Sequence, residues 1–229
     1  MKNKFLLALA SMVLCLTVAS YADIIKLENT NGDIWKTITL DGTSGSAATG
    51  LYTLYDTTTK QTWQSFCIDP LGAIQPGDEW TADLKTGSAV TSGALSASTY
   101  GTSATITEQK YAMINYLAQT YYYNGTLDAS GQSDLSLALW EIARDYNNND
   151  FTTLNLGSGK FQATEDALTS TMLTNAFNAR NTAITMSVFS PTGKPSQEFL
   201  YKVPEPGLFS FMGLTLLSIL GLVSYRRKK

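Results

Sequence analysis

The chain has 229 residues, of which 44% are hydrophobic, 11% aromatic and 15% charged, enough for one globular domain with a real core and short of two. It contains no histidine, which excludes Ser-His-Asp and Cys-His catalysis, His-ligated zinc and imidazole-based pH switching. The formal charge of −3 is unevenly spread: Lys2, Lys4, Arg226, Arg227, Lys228 and Lys229 hold the two ends, and removing these six from 16 basic residues leaves ten against 19 acidic ones. Such an acidic body repels phosphate backbones, so nucleic acid is not expected as a partner.

Lys2 and Lys4 precede an apolar run over residues 5–19, and in Ser20-Tyr21-Ala22 the first and third positions supply the small residues that signal peptidase needs. Residues 1–22 therefore read as a signal peptide cleaved before Asp23, and the body is exported. Cys15 belongs to the discarded apolar run, because the large Leu14 before it does not suit a lipoprotein site.

Residues 34–40, 50–55 and 62–68 are rich in Thr, Ile, Tyr and Trp and are separated by Gly, Ser, Asp and Thr clusters, the pattern of antiparallel strands and turns. Residues 83–107, low in charge and crowded with Gly, Ser, Ala and Thr, predict a long surface loop or irregular ribbon. Over residues 105–123 the period changes. Tyr111, Ile114, Leu117, Ala118 and Tyr121 share a helical face, and Thr105 with Glu108 can form a capping box, which predicts an amphipathic helix.

A second helix, starting near Ser133 or Asp134, carries Leu135, Leu137, Ala138, Leu139, Trp140 and Ile142. It is apolar nearly all round and belongs at the domain centre, with Glu141 and Arg144 as solvated neighbours. Thr164, Glu165 and Asp166 open a third helix that runs to about Arg180. Residues 183–189 and 197–203 return to a strand pattern about a turn at 190–195. No repeat and no composition break divides the body. The expectation for residues 23–202 is one extracytoplasmic α+β domain, an antiparallel β-sandwich or barrel-like body with an inserted helical part.

Once Cys15 is removed, Cys67 is the one cysteine left and has no partner for an intramolecular disulfide. A plain reading makes it a small buried hydrophobe between Phe66 and Ile68. The motifs around it support a sharper one. Phe66-Cys67-Ile68-Asp69, the Tyr-rich helix, and Ser136-Leu137-Ala138-Leu139-Trp140 together resemble the bacterial thioester domain of surface adhesins, most closely over residues 51–142. In that family the cysteine of an aromatic-Cys-Ile/Val-Asp motif joins the glutamine of Gln-x-Ala-Ile-Trp in an internal thioester that captures surface amines. The resemblance makes Cys67 the thiol. It puts Ser136 at the glutamine position, where a hydroxyl offers no acyl carbon, and Gln132 lies one helical turn earlier, about 6 Å along the axis. The resemblance thus implies a thioester-domain-like fold, with a covalent adhesin as the alternative to a non-bonding relative or an unrelated sandwich that packs Cys67.

Other clusters are less specific. Residues 145–150 alternate oxygen ligands as a calcium loop would, yet lack its glycine and place Leu156 where a bidentate Glu belongs, so they read as a polar turn. Asp78-Glu79 and Glu165-Asp166 are acid pairs that suit a turn and a helix N-terminus. Tyr121, Tyr122 and Tyr123 could stack on sugar rings or fill a core. No catalytic set, metal site or cofactor emerges, and the expected function is non-enzymatic.

The C-terminus carries the most specific signal. Val203-Pro204-Glu205-Pro206 can continue neither helix nor strand, residues 207–225 are apolar and uncharged over a length that crosses a bilayer core, and Arg226 and Arg227 follow with Lys228 and Lys229. The positive end stays cytoplasmic, so the body faces outward. In order and spacing these parts resemble the PEP-CTERM sorting signal of Gram-negative, exopolysaccharide-producing bacteria, over residues 203–229. The resemblance implies an exosortase as partner, a transient membrane anchor, and a destination at the cell surface or in the matrix, with adhesion or exopolysaccharide and biofilm association as the role. The plainer alternatives are an ordinary single-span protein with a proline linker, or a buried C-terminal core helix.

Overall fold

A computed structural model describes residues 23–71, 74–95, 102–147, 149–164, 166–192 and 197–202. The expected signal peptide at 1–22 and the expected sorting signal and span at 203–229 lie outside the described residues. No helix among the described residues is long and apolar enough to cross a membrane.

Among the described residues the body is α+β, with one antiparallel sheet and three α-helices. Its strands are β1 (Asp23–Leu40), β2 (Thr43–Asp56), β3 (Gln61–Ser65), β4 (Glu79–Thr86), β5 (Phe161–Ala163), β6 (Ser187–Pro191) and β7 (Phe199–Tyr201). They run in the order β3-β2-β1-β4-β6-β7, with β5 beside β1. β1 is long because it serves several neighbours. Its first residues pair with β4, its last with β5, and β2 lies along its length. Asp41 and Gly42 join β1 to β2 with φ of 52° and 80°, as a two-residue hairpin loop requires and as Asp-Gly tolerates.

Beyond β3 the chain changes partner. Cys67 bridges Phe199, the Ile68 N–H donates to the Glu198 carbonyl at 2.9 Å, and the Leu200 N–H donates to the Phe66 carbonyl at 3.0 Å. The two ends of the strand path are thereby joined. Ile25, Leu27, Tyr52, Leu54, Cys67, Trp80, Ala82, Phe189 and Phe199 pack together as one core between these strands.

The helices α1 (Ala104–Leu117), α2 (Ala129–Asp145) and α3 (Ala167–Asn178) build a second, larger core against β1, β2 and β5. Leu135, Leu139, Ile114, Met113 and Leu173 are buried in it. Each such side chain contributes on the order of 1.5–3 kcal/mol through removal from water. α2 is central, as its composition predicts, with a buried run from Leu135 to Ala143.

Several expectations are corrected. The cap of α1 is Ser103, whose hydroxyl accepts from the Ile106 N–H at 3.3 Å, and not Thr105. α1 is buried on nearly all sides, because α2, α3 and a 3-10 turn at Gly87–Ser92 surround it, so it is not amphipathic. α2 starts earlier than expected, at Ala129, with Asp128 as cap, because the Asp128 carboxylate takes the Gly131 N–H at 2.8 Å. Residues 79–86, partly assigned to loop, form β4, where Trp80 and Ala82 alternate inward against exposed Glu79 and Thr81. Glu141 and Arg144 are not solvated: Glu141 is fully buried and accepts the Asn155 N–H, and Arg144 pairs with Asp41.

Candidate functional site

The cysteine motif and α2 are brought together. The Trp140 indole N–H donates to the Cys67 carbonyl at 3.1 Å, joining the two segments that carry the thioester-domain resemblance. Cys67 is fully buried and its thiol donates to the Asp69 carbonyl at 3.2 Å. Burial first, and the nearby Asp69 and Glu198 carboxyls next, push the thiol well above its ordinary pKa. A neutral, inaccessible thiol is a poor nucleophile.

Ser136 has a structural task. The β1–β2 register shifts between Asn31 and Ile34, so that residues 32 and 33 both lie across from Gly50, which takes a φ of 104° suited to glycine. At this bulge the Gly50 N–H donates to the Ser136 hydroxyl at 2.8 Å, which also lies 3.2 Å from the Gln132 carbonyl. One turn earlier the Ser133 and Thr49 hydroxyls meet at 2.7 Å. Two serines thus peg α2 onto β2. Gln132 does not stand in for the missing glutamine, because its amide donates to the Leu127 carbonyl at 3.1 Å, back towards the helix start.

Beside this junction is a cavity of about 380 Å³, with Trp35, Tyr52, Ile74, Gln75, Trp140 and Gln197 among its lining. Trp140 and Tyr52 form its buried side, and Trp35, with 61% of its surface exposed, stands in solvent. Cys67 lies behind Tyr52, whose hydroxyl is pushed upward in pKa, chiefly by burial and further by its nearness to Cys67. Sequence reasoning missed Gln197 and Trp35 because neither sits in a motif.

It also missed Glu198, which is fully buried behind Cys67. Its carboxylate accepts the Tyr111 hydroxyl at 2.7 Å and the Ala94 N–H at 3.2 Å. Burial raises its pKa to about 7, against the lowering effect of those hydrogen bonds and one from Ser190. In the sequence Glu198 falls within the strand pattern of residues 197–203, which carries no sign of its burial.

The remaining candidates are structural. Tyr122 and Tyr123, in a wide helical turn at Ala118–Tyr123, give their hydroxyls to the carbonyls of Gln64 and Tyr201, and the Tyr122 ring meets Phe66 edge-on. They close the helix end against β3 and β7 and are not an open stacking platform. Tyr123 and Tyr201 border a shallower pocket of about 280 Å³ with Lys202. Asp145 accepts the N–H groups of Lys160 and Phe161, and Asp150 caps the short turn at Phe151–Thr153. Asp78 accepts from the Gln75 N–H, and Asp166 caps α3 through the N–H groups of Leu168 and Thr169. Glu165 lies outside the described residues. Among the described residues no group of His, Cys, Asp and Glu could hold a metal ion.

Comparison with known protein families, with curated proteins and with solved structures gives no match.

Proposed function

We propose that the chain is a non-enzymatic, exported surface or extracellular-matrix protein, handed to an exosortase by its PEP-CTERM-type signal and working in adhesion or exopolysaccharide association. The observation that carries this reading is the order Val203-Pro204-Glu205-Pro206, apolar residues 207–225, then Arg226 and Arg227, downstream of an export signal. The body is compatible with such a tether. Burial raises the pKa of Tyr201, and so do the carboxylates of Asp23 and Asp56, so the start and end of the described chain lie at one end. The barrel-like form of the body belongs to the same proposal and is supported by the Cys67–Phe199 pairing that joins the ends of the strand path. The test is mass analysis of the C-terminus in envelope material. Cleavage near Pro204 to Pro206, lost in a strain without exosortase, is the expected result. An intact Lys229 in all of the protein refutes the processing.

A second reading, a covalent thioester adhesin acting through Cys67, is favoured by the contact of Trp140 with Cys67. Its acyl carbon would come from Gln197 and not from α2. Carrying the Cys67–Phe199 register on by two residues sets Gln197 diagonally from Cys67 on the same face, within reach of a long side chain. Attack of the thiol on the Gln197 carboxamide would form a thioester and release ammonia. An intact mass lower by one ammonia, with Cys67 unreactive until an amine is added, would establish this reading. Full mass with a free thiol on unfolding would end it.

A further inference from the structure

The geometry points to the cavity beside Trp140 as a binding site for a neutral glycan, with a hexose ring stacked on Trp35. This deepens the surface-protein reading and rests on it for the setting in which such a ligand is met.

Trp35 is the first reason. At 61% exposure it is the most open of the large hydrophobic side chains among the described residues, whereas Trp80 and Trp140 are buried and Trp63 is stacked on Phe189. The core has no use for the Trp35 ring where it stands, and an exposed indole is favourable once an apolar face covers it. Sugar rings present such faces through their C–H groups and carry hydroxyls around the edge. The cavity matches both parts. Trp35, Tyr52 and Trp140 supply aromatic surface, and Gln75, Gln197 and Thr30 supply amides and a hydroxyl. A carboxamide both donates and accepts, as a pair of neighbouring sugar hydroxyls needs.

Charge narrows the class. Among the described residues, none that lines the cavity is Lys, Arg, Asp or Glu, so a uronate or sulfated glycan would lose hydration with no counter-charge from these residues to receive it. The volume of about 380 Å³ falls within the roughly 300–1,000 Å³ of small-ligand sites. Position adds a further argument. Gln197 and Lys202 stand at opposite ends of the β7 segment, roughly 16 Å apart at the rise of an extended chain. A body tethered beyond Lys202 therefore presents the cavity on the side away from the tether.

The test uses the full-length chain in a detergent without a sugar headgroup, titrated with cellohexaose, mannohexaose and chitohexaose. Calorimetry and tryptophan fluorescence are the readouts. At least one of these neutral oligomers should bind with a change in indole emission. Trp35→Ala should weaken binding roughly tenfold, the worth of one aromatic stacking contact. Gln75→Ala, at an exposed wall residue, should weaken it less, and Phe151→Ala on the far 3-10 turn should leave it unchanged. The proposal is overturned if none of the three binds, if Trp35→Ala binds as well as the parent, or if a proline-rich peptide binds through Trp35 and the sugars do not. C-terminal processing is read separately, so loss of the glycan result with processing intact removes the cavity's role and leaves the sorted surface protein standing.

Discussion

Glu198 makes the stability of this protein depend on pH in an unusual direction. Burial raises its carboxyl from 4.5 to about 7, despite hydrogen bonds from Tyr111, Ala94 and Ser190 that favour the charged form. Between these two values the folded chain holds a proton that the unfolded chain has released. Stability from this group is therefore greatest at the acidic end of the window and falls as pH rises, becoming flat above the folded pKa. The whole effect, at 1.36 kcal/mol per pKa unit, is roughly 3 kcal/mol. Asp134 acts in the same direction, since burial and a hydrogen bond with Asp166 raise it to about 7. The variant Glu198→Gln separates the two, because the amide copies the shape of the protonated acid and does not titrate. Urea unfolding followed by tryptophan emission, from about pH 5 to about pH 8, should show the variant gaining on the parent by roughly 3 kcal/mol across the range. Parallel curves for parent and variant would refute the reasoning.

Three further outcomes concern the buried thiol, the β1 bulge and the cap of α3. Cys67, buried and held neutral, should resist alkylation in the native protein and react fully in denaturant, as counted by intact mass; rapid native labelling would contradict its placement. Ser136→Ala leaves the Gly50 N–H at the β1 bulge without its 2.8 Å acceptor and should cost about 1–3 kcal/mol in urea unfolding, whereas a freely substitutable Ser136 would show no loss. Asp166→Ala removes the cap that takes two N–H groups at the start of α3, and thermal unfolding should register a loss of about 1 kcal/mol.

What the sequence determined by itself is whatever depends on local pattern. The apolar run of Leu135 to Ile142 is enough to centre α2, because a helix without a polar face has no place but the interior. Asp-Gly at 41–42 shapes its hairpin through backbone freedom alone. The proposal of export and sorting segments likewise rests on charge and length, without any fold. Other features depend on partners far apart in the chain. β4 was hidden because its alternation matters only when β1 and β6 flank it. Glu141 reads as a solvated acid and Glu198 as one residue of a strand pattern until tertiary packing gives them backbone and tyrosine donors, since burial of a carboxyl is set by what surrounds it in space. The meaning of Ser136 was settled the same way. From the motif it is a missing acyl group, and the structure makes it the hydroxyl that receives the N–H displaced by a bulge on a strand about 100 residues earlier, a relation no local pattern can carry.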